Sequence, residues 1–280
     1  MKELFKTFLA VAAPSLYKKL QLGKYDKLSW SNLLESDAEA EILLLQFLLN
    51  EQSVFLDVGS NVGAYLYMAE KYASPRNIHG FEPIPALYRR LCRIFPEHRL
   101  YALALSNRNA ISKFKIPVIK GSSLLPRGTL NTEYKEADEN RSTIFTVNTA
   151  RIDDFVKKEG IQRLDLIKID VEGHEVDTIE GGEESLKKYR PVLIVEIEQR
   201  HHTKNLDEII AYIAQMGYSC FYVDPLSLTL KSTPSNASSL QKIEHHKVSR
   251  LYVNNFIFMP SNEELAQRVS SINTTIKKSL

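Results

Sequence analysis

The chain has 280 residues, 44% of them hydrophobic, enough for one large α/β domain with extensions or two small ones, which excludes wholesale disorder. A formal net charge of +2, with acids and bases mixed along the length, gives no ground for nucleic acid or an anionic membrane as the main partner. Cys92 and Cys220 form neither a C-x-x-C pair nor a disulfide framework, so they fit buried thiols in a reducing, cytoplasmic setting.

In chain order, the first element is a basic amphipathic helix. Leu4, Phe8, Leu9, Leu16 and Leu20 fall near helical spacing, with Lys2, Lys6, Lys18 and Lys19 around them. The apolar run from Phe8 to Ala13 is too short to span a membrane, and Lys6 interrupts the stretch that a signal peptide would need. This helix is expected to pack on the rest of the chain or on a second subunit; weak contact with a membrane surface is the alternative. "SDAEAEILLLQFLLN" predicts a helix capped at Ser36 or Asp37. Strand and helix patterns then alternate: strand "VFLDVG", helix "VGAYLYMAEKYA", strand "NIHGFEP", helix "PALYRRLCRIF" and strand "RLYALAL". Trp30, ahead of this run, is expected to pack rather than to line a site.

The alternation is interrupted by two strands, "ISKFKIPVI" and "STIFTVNTA", around a polar stretch from Lys120 to Arg141. A loop of that length in a compact domain is expected to be a lid, mobile until an acceptor binds. Alternation resumes with strand "LDLIKID", a single helix "EVDTIEGGEESLKKY", strand "PVLIVEIE", helix "NLDEIIAYIAQMG" and strand "YSCFYVD". A polar segment from Ser227 to Arg250 precedes the last strand, "NNFIFMP", and a surface helix ends the chain. The pattern predicts a doubly wound, mostly parallel α/β sheet covered on both faces, with ligands at the carboxyl ends of its strands.

"FLDVGSNVGAY" places Asp57 just before a glycine turn, with Gly59 and Gly63 in G-x-x-x-G. A phosphate-binding turn would avoid a carboxylate there, and neither a P-loop nor G-x-G-x-x-G is present. The acid suits a ligand that is cationic or rich in donors, and S-adenosylmethionine, with an ammonium, a sulfonium and no phosphate, fits. Glu82 follows the next strand and is placed to accept from two ribose hydroxyls.

"FLDVGSNVGAY", "GFEPIPALYRRL", "YALALSN", "LIKIDVEGHEVDTIEGG" and "RPVLIVEIE", in that order, resemble the FkbM family of S-adenosylmethionine-dependent methyltransferases. The resemblance covers roughly Ser36 to Pro260, and "IKIDVEGHE" is its most specific piece. It implies the class I methyltransferase, Rossmann-like fold of seven strands with the last antiparallel, and methyl transfer to a hydroxyl, often on a sugar or a polyketide-type product. The acceptor would be a small molecule or a glycan. It also implies a cofactor set of Asp57, Gly59, Asn61, Gly63, Glu82, Ala104, Ser106 and Asp170. The corresponding division is a helical extension at 1–35, a methyltransferase domain at 36–260 and a helical tail at 261–280. Ser60 stands where alanine is more usual, and "NTARIDDF", with Asp153, matches the family's Thr-Leu-Asp segment only loosely.

In "IKIDVEGHE", Asp170 and Glu172 are two apart, so an extended chain would point both carboxylates to one side. Methyl transfer needs an in-line nucleophile and removal of its proton, and His174 is placed to be that base, with Asp170 as alternative and Glu172 beside them. Glu175 is expected to serve only the helix start. No metal is expected; were one bound, Asp170, Glu172 and Glu196 would hold it, with a histidine such as His201 or His202. A nicotinamide oxidoreductase would explain Glu82 but not Asp57. A non-catalytic nucleoside-binding or scaffold protein would leave the Asp170–His174 edge without purpose.

Overall fold

The structure is a computed structural model and describes residues 9–242 and 251–280. Helix α1 (Pro14–Leu22) opens with Pro14, whose missing N–H costs nothing in a first turn. It turns Tyr17 and Leu22 to the core and leaves Leu16 and Leu20 exposed, so the buried face is not the leucine stripe that spacing suggests. Lys18 anchors it through an ion pair with Glu70 at 2.7 Å and by lying over the Phe95 ring. Leu4, Phe8, Lys2 and Lys6 lie outside the described residues, as do His245 and His246. Trp30 is buried in the same core.

Helix α2 (Glu41–Leu48) starts later than its sequence suggests. Ser36 is occupied by a local turn, donating to the Leu33 carbonyl and accepting from the Ala38 N–H, so it caps no helix. Strands β1 (Phe55–Val58), β2 (Ile78–Phe81) and β3 (Arg99–Tyr101) are then laid in parallel, linked by α3 (Ala64–Ala69) and α4 (Pro85–Ile94). The apolar run expected to form one third strand divides. Its second half, β4 (Ala104–Leu105), leaves the main sheet to pair with a different one.

That second sheet has the order β4-β7-β5-β6 and is built on a long antiparallel pair, β5 (Ala110–Ile119) and β7 (Glu139–Ala150), with β6 (Ser122–Ser123) at its edge. The expected lid runs between β5 and β7. Its Leu125 and Leu130 pack on Ile84, Leu87, Phe114 and Ile116, which gives the segment an apolar underside.

After α5 (Ile152–Lys158) the main sheet resumes with β8 (Leu166–Ile169) beside β1. The single helix expected next is two, α6 (Glu175–Glu180) and α7 (Glu183–Tyr189), broken at Gly181–Gly182. At the break the Gly181 carbonyl accepts from the Asp153 N–H, and the Asp153 carboxylate accepts from the Glu184 and Ser185 N–H groups of the new first turn. Asp153 therefore caps a helix. Strand β9 (Val192–Glu196), α8 (Leu206–Gln215), β10 (Tyr218–Val223), β11 (Leu230–Ser232) and β12 (Asn255–Pro260) complete the sheet.

Its order is β11-β10-β12-β9-β8-β1-β2-β3, with β12 antiparallel to both neighbours. Seven of these strands match the expected arrangement, and β11 is an added edge strand drawn from the polar segment after Ser227. The final helix, α9 (Leu265–Ser279), covers that edge: Asn273 bonds both the N–H and the carbonyl of Leu230, while Ile272 and Ile276 are buried. Strand order reverses between β1 and β8, so the site should open there.

Candidate active site

Three turns meet at that reversal. After β1, Gly59 adopts a φ of 84°, and a Cβ there would collide with the Asp170 carbonyl oxygen, so the turn can be closed only by glycine. The N–H groups of Gly59 and Ser60 donate to the Phe81 carbonyl, which ties the β1 and β2 turns together. Gly63 faces the rings and side chains of Phe95 and Leu91 rather than a strand.

Glu82, directly after β2, is buried and doubly held. One carboxylate oxygen accepts from the Asn61 N–H at 2.9 Å and the other from the Ile84 N–H at 2.8 Å. Burial pushes its pKa up to about 7 against the pull of these two donors, with the charges of Asp57 and Asp170 adding to the rise. Glu82 lines a cleft that also includes Gly59, Asn61, Ala104, Asp170, Glu172 and His174. An apolar slot of Phe81, Ile84, Leu87, Leu103 and Leu105 continues from it, and Leu125, Pro126 and Leu130 of the lid cover it. The Asn61 side-chain oxygen is buried at this wall without a hydrogen-bond partner, which leaves it available to a ligand.

Asp57 is not part of the cleft wall. It lies beneath the turn in register with Lys168 of β8, 1% exposed, with one carboxylate oxygen unpartnered. Burial raises its pKa to about 7, opposed by the Lys168 charge. Lys168, equally buried, donates to Asp170 at 2.7 Å and lies over the Tyr65 ring. Burial alone would lower its pKa, but Asp170, Glu39, Glu196 and Asp57 hold it well above the ordinary lysine range. Tyr65 in turn donates to Glu39, and Glu196 accepts from Asn254. One cation thus serves four nearby carboxylates. The sequence reading missed Lys168 and Glu39, although a lysine inside the all-buried strand "LIKI" was the available signal.

At the end of β8 the expected alternation fails. Glu172 has a φ of 53°, so it does not follow Asp170 along an extended strand. Its carbonyl accepts from Thr129 of the lid at 2.6 Å, and its side chain faces His201. Burial and the Asp170 charge raise the Glu172 pKa to about 8. His174 lines the cleft; its Nε2 is 2.9 Å from the Ser106 hydroxyl and its Nδ1 is 3.5 Å from Asp177. Burial lowers its pKa against the pull of Asp177, which keeps the ring neutral near pH 7. Ser106 therefore engages His174 and is absent from the cleft wall. Glu175 accepts from the Val171 and Gly173 N–H groups and pairs with His202 at 2.8 Å, so it holds the turn ahead of the helix as well as opening the helix itself.

Asp170, Glu172 and Glu196 do not come together as a ligand set. Among the described residues, the one grouping of three potential ligands is Glu136, Glu172 and His201. No described helix is long and apolar enough to cross a membrane.

A parallel sheet with one inserted antiparallel strand, an acid on the second turn and no phosphate loop define a class I, Rossmann-like methyltransferase. The chain belongs to the FkbM methyltransferase family, whose domain matches residues 57–220, more than half its length. The 2-O-methyltransferase NoeI of Sinorhizobium fredii is 31% identical over 160 residues, 52% of this chain and 64% of that protein. The hexuronic acid methyltransferase AglP of Haloferax volcanii is 27% identical over 179 residues, 62% of this chain and 70% of that protein. The match to NoeI thus spans less than two thirds of its length. A crystal structure of methyltransferase FkbM from Methylobacillus flagellatus aligns with a TM-score of 0.46 and 11% identity, covering 92% of this chain and 59% of that one.

Proposed function

We propose that the protein is an S-adenosylmethionine-dependent O-methyltransferase acting on a hydroxyl of a sugar, glycan or related natural product, with residues 36–260 as its catalytic unit. The observation that carries this is Glu82, a buried carboxylate fixed by two backbone N–H groups at the mouth of an apolar slot, with no phosphate-binding turn beside it. The names of NoeI and AglP, a 2-O-methyltransferase and a hexuronic acid methyltransferase, favour a sugar as the acceptor.

When bound, S-adenosylmethionine supplies a methyl group already activated on a sulfonium. Glu82 would accept from the ribose hydroxyls, and Phe81, Ile84, Leu87 and Leu105 would receive the adenine. Asn61 offers its free side-chain oxygen. The excess of carboxylate around Lys168 favours the cationic end of the cofactor, so Asp57 acts from beneath the turn through its charge. His174, neutral and with Nδ1 turned to Asp177, takes the acceptor proton at Nε2, directly or through the Ser106 hydroxyl that pairs with it. Asp170 braces Lys168 and the floor of the cleft.

Glu82→Ala is expected to weaken S-adenosylhomocysteine binding by about 1.5–3 kcal/mol, the range for hydrogen bonds to a charged group. Calorimetry tests this, and tight NAD binding without S-adenosylhomocysteine binding would overturn the assignment. The same titration has a pH signature. Ribose donors favour the ionised carboxylate, so affinity should rise with pH up to about 7 and level off above it. Glu82→Gln should remove that rise.

The lid is expected to be cut by trypsin at Lys120, Arg127 or Lys135 more readily in the free protein than with S-adenosylhomocysteine and acceptor present. Thr129 and Leu130 would then be docked on the occupied cleft. Cleavage no faster than that of the core, with or without ligands, would remove the lid from the proposal.

A further inference from the structure

The lid and the strand ends are joined by a buried polar knot that the methyl-transfer reading does not use. Glu136, in the lid, is 7% exposed, and one of its carboxylate oxygens is held by Arg127 at 3.1 Å and Arg200 at 2.8 Å. Its other oxygen faces His201 Nε2 at 3.7 Å. Glu172 faces the other ring nitrogen, His201 Nδ1, at 3.6 Å. His201 is 5% exposed, stacked edge-on against Tyr134, and its Nε2 has no hydrogen-bond partner. One ligand atom from each of the three residues lies within 4.8 Å of the others.

We propose that Glu136, Glu172 and His201 form a divalent-cation site, for Mg²⁺ or Mn²⁺, that joins the lid to the wall of the cofactor cleft. The donor set of two carboxylates and one imidazole suits hard to borderline cations rather than thiophilic ones. Neighbouring ligand atoms around such an ion lie about 3 Å apart, the edge of an octahedron with bonds of about 2.1 Å. The gaps of 3.6 and 3.7 Å are too long for hydrogen bonds, and the one on the side of the ligating nitrogen needs only a small contraction to meet that spacing. The other carboxylate, within 4.8 Å, closes in by up to about 2 Å. The imidazole ligates through one nitrogen. Arg127 and Arg200 fix the outer oxygen of Glu136, as partners behind a ligand do, and leave its inner oxygen for the ion.

The left-handed backbone at Glu172 is what turns its carboxylate away from the line of Asp170 and toward His201. Glu172 also lines the cleft, so the ion and the cleft share a carboxylate. Glu136 reaches the site only with the lid seated, so cation binding and lid closure favour each other. This coupling rests on the lid proposed above; the existence of the site does not.

The test is Mn²⁺ titration of the full-length protein followed by electron paramagnetic resonance, with S-adenosylhomocysteine calorimetry on the same samples. The expected result is one saturable site per chain, with ¹⁴N modulation of the bound Mn²⁺ signal from a directly coordinated imidazole. His201→Gln and Glu136→Gln should each weaken it at least about tenfold, a loss of one ligand, while S-adenosylhomocysteine still binds. Mn²⁺ that does not saturate, saturation without ¹⁴N modulation, or affinity unchanged in both variants would overturn the site. The ¹⁴N signature is read on the unaltered protein, so a variant that fails to fold does not leave the question open. Loss of S-adenosylhomocysteine binding by the unaltered protein would instead count against the cofactor assignment alone.

Discussion

His174→Ala is expected to lower the methylation rate about 10²–10⁴-fold, the range for loss of a positioned general base, while leaving S-adenosylhomocysteine affinity close to that of the unaltered protein. The ring sits on the cleft wall with Nδ1 turned to Asp177, so Nε2, paired with the Ser106 hydroxyl, is the nitrogen that receives the proton, directly or through that hydroxyl. Glu82, Asn61 and the apolar slot hold the cofactor in this proposal, so the loss of the ring falls on the acceptor step. Ser106→Ala should reduce turnover less, because it frees the ring to rotate without removing it. Burial lowers the His174 pKa, so activity should be retained as pH falls below the ordinary imidazole range and decline only when the ring protonates. Single-turnover rates across pH, set beside calorimetry, check the separation. Normal turnover in both His174→Ala and Asp170→Asn would make this edge structural and leave catalysis to proximity.

Lys168→Met is expected to destabilise the fold by about 3–5 kcal/mol, the cost of removing one partner from a buried ion pair. The reason is local and severe. Lys168 is the cation among Asp57, Asp170, Glu39 and Glu196, and Asp57 already has an unpartnered oxygen with that cation in place. Methionine fills the space but leaves the carboxylates opposing one another. The loss should be greatest at alkaline pH and smaller near pH 5.5. Asp57, whose pKa is already about 7, can there neutralise itself by protonation. Urea unfolding at the two pH values measures both effects. Equal stability of the variant and the unaltered protein at pH 8 would show that the carboxylates do not depend on Lys168.

Local chemistry accounts for what was legible. Apolar runs such as "VFLDVG" and "LDLIKID" announce buried parallel strands because both faces of each are covered. Gly59 after Asp57 and Val58 marks the turn beyond β1, and Pro83 marks the end of β2 beside Glu82, because each signal lies within a few residues of the strand it closes. Caps were less legible. Ser36 has the chemistry of a helix cap, but a turn at Leu33–Ala38 uses its hydroxyl first. Asp153 sits at one helix start and caps another, a pairing of residues 32 apart that no local pattern encodes.

The sequence by itself determined the alternating α/β architecture, the family and the turn residues around the cleft, because each depends on neighbours within a few positions. Only the tertiary structure decided which side each carboxylate faces. Asp57 turns under its loop to Lys168 because β1 and β8 lie in register, and Glu172 leaves the line of Asp170 because its backbone is left-handed. The run "RLYALAL" divides between two sheets for the same kind of reason: β4 finds its partner in β7, some forty-five residues along the chain. Glu136 meets His201 only because the lid folds back across the strand ends, bringing together groups whose separation in sequence carries no trace of their contact.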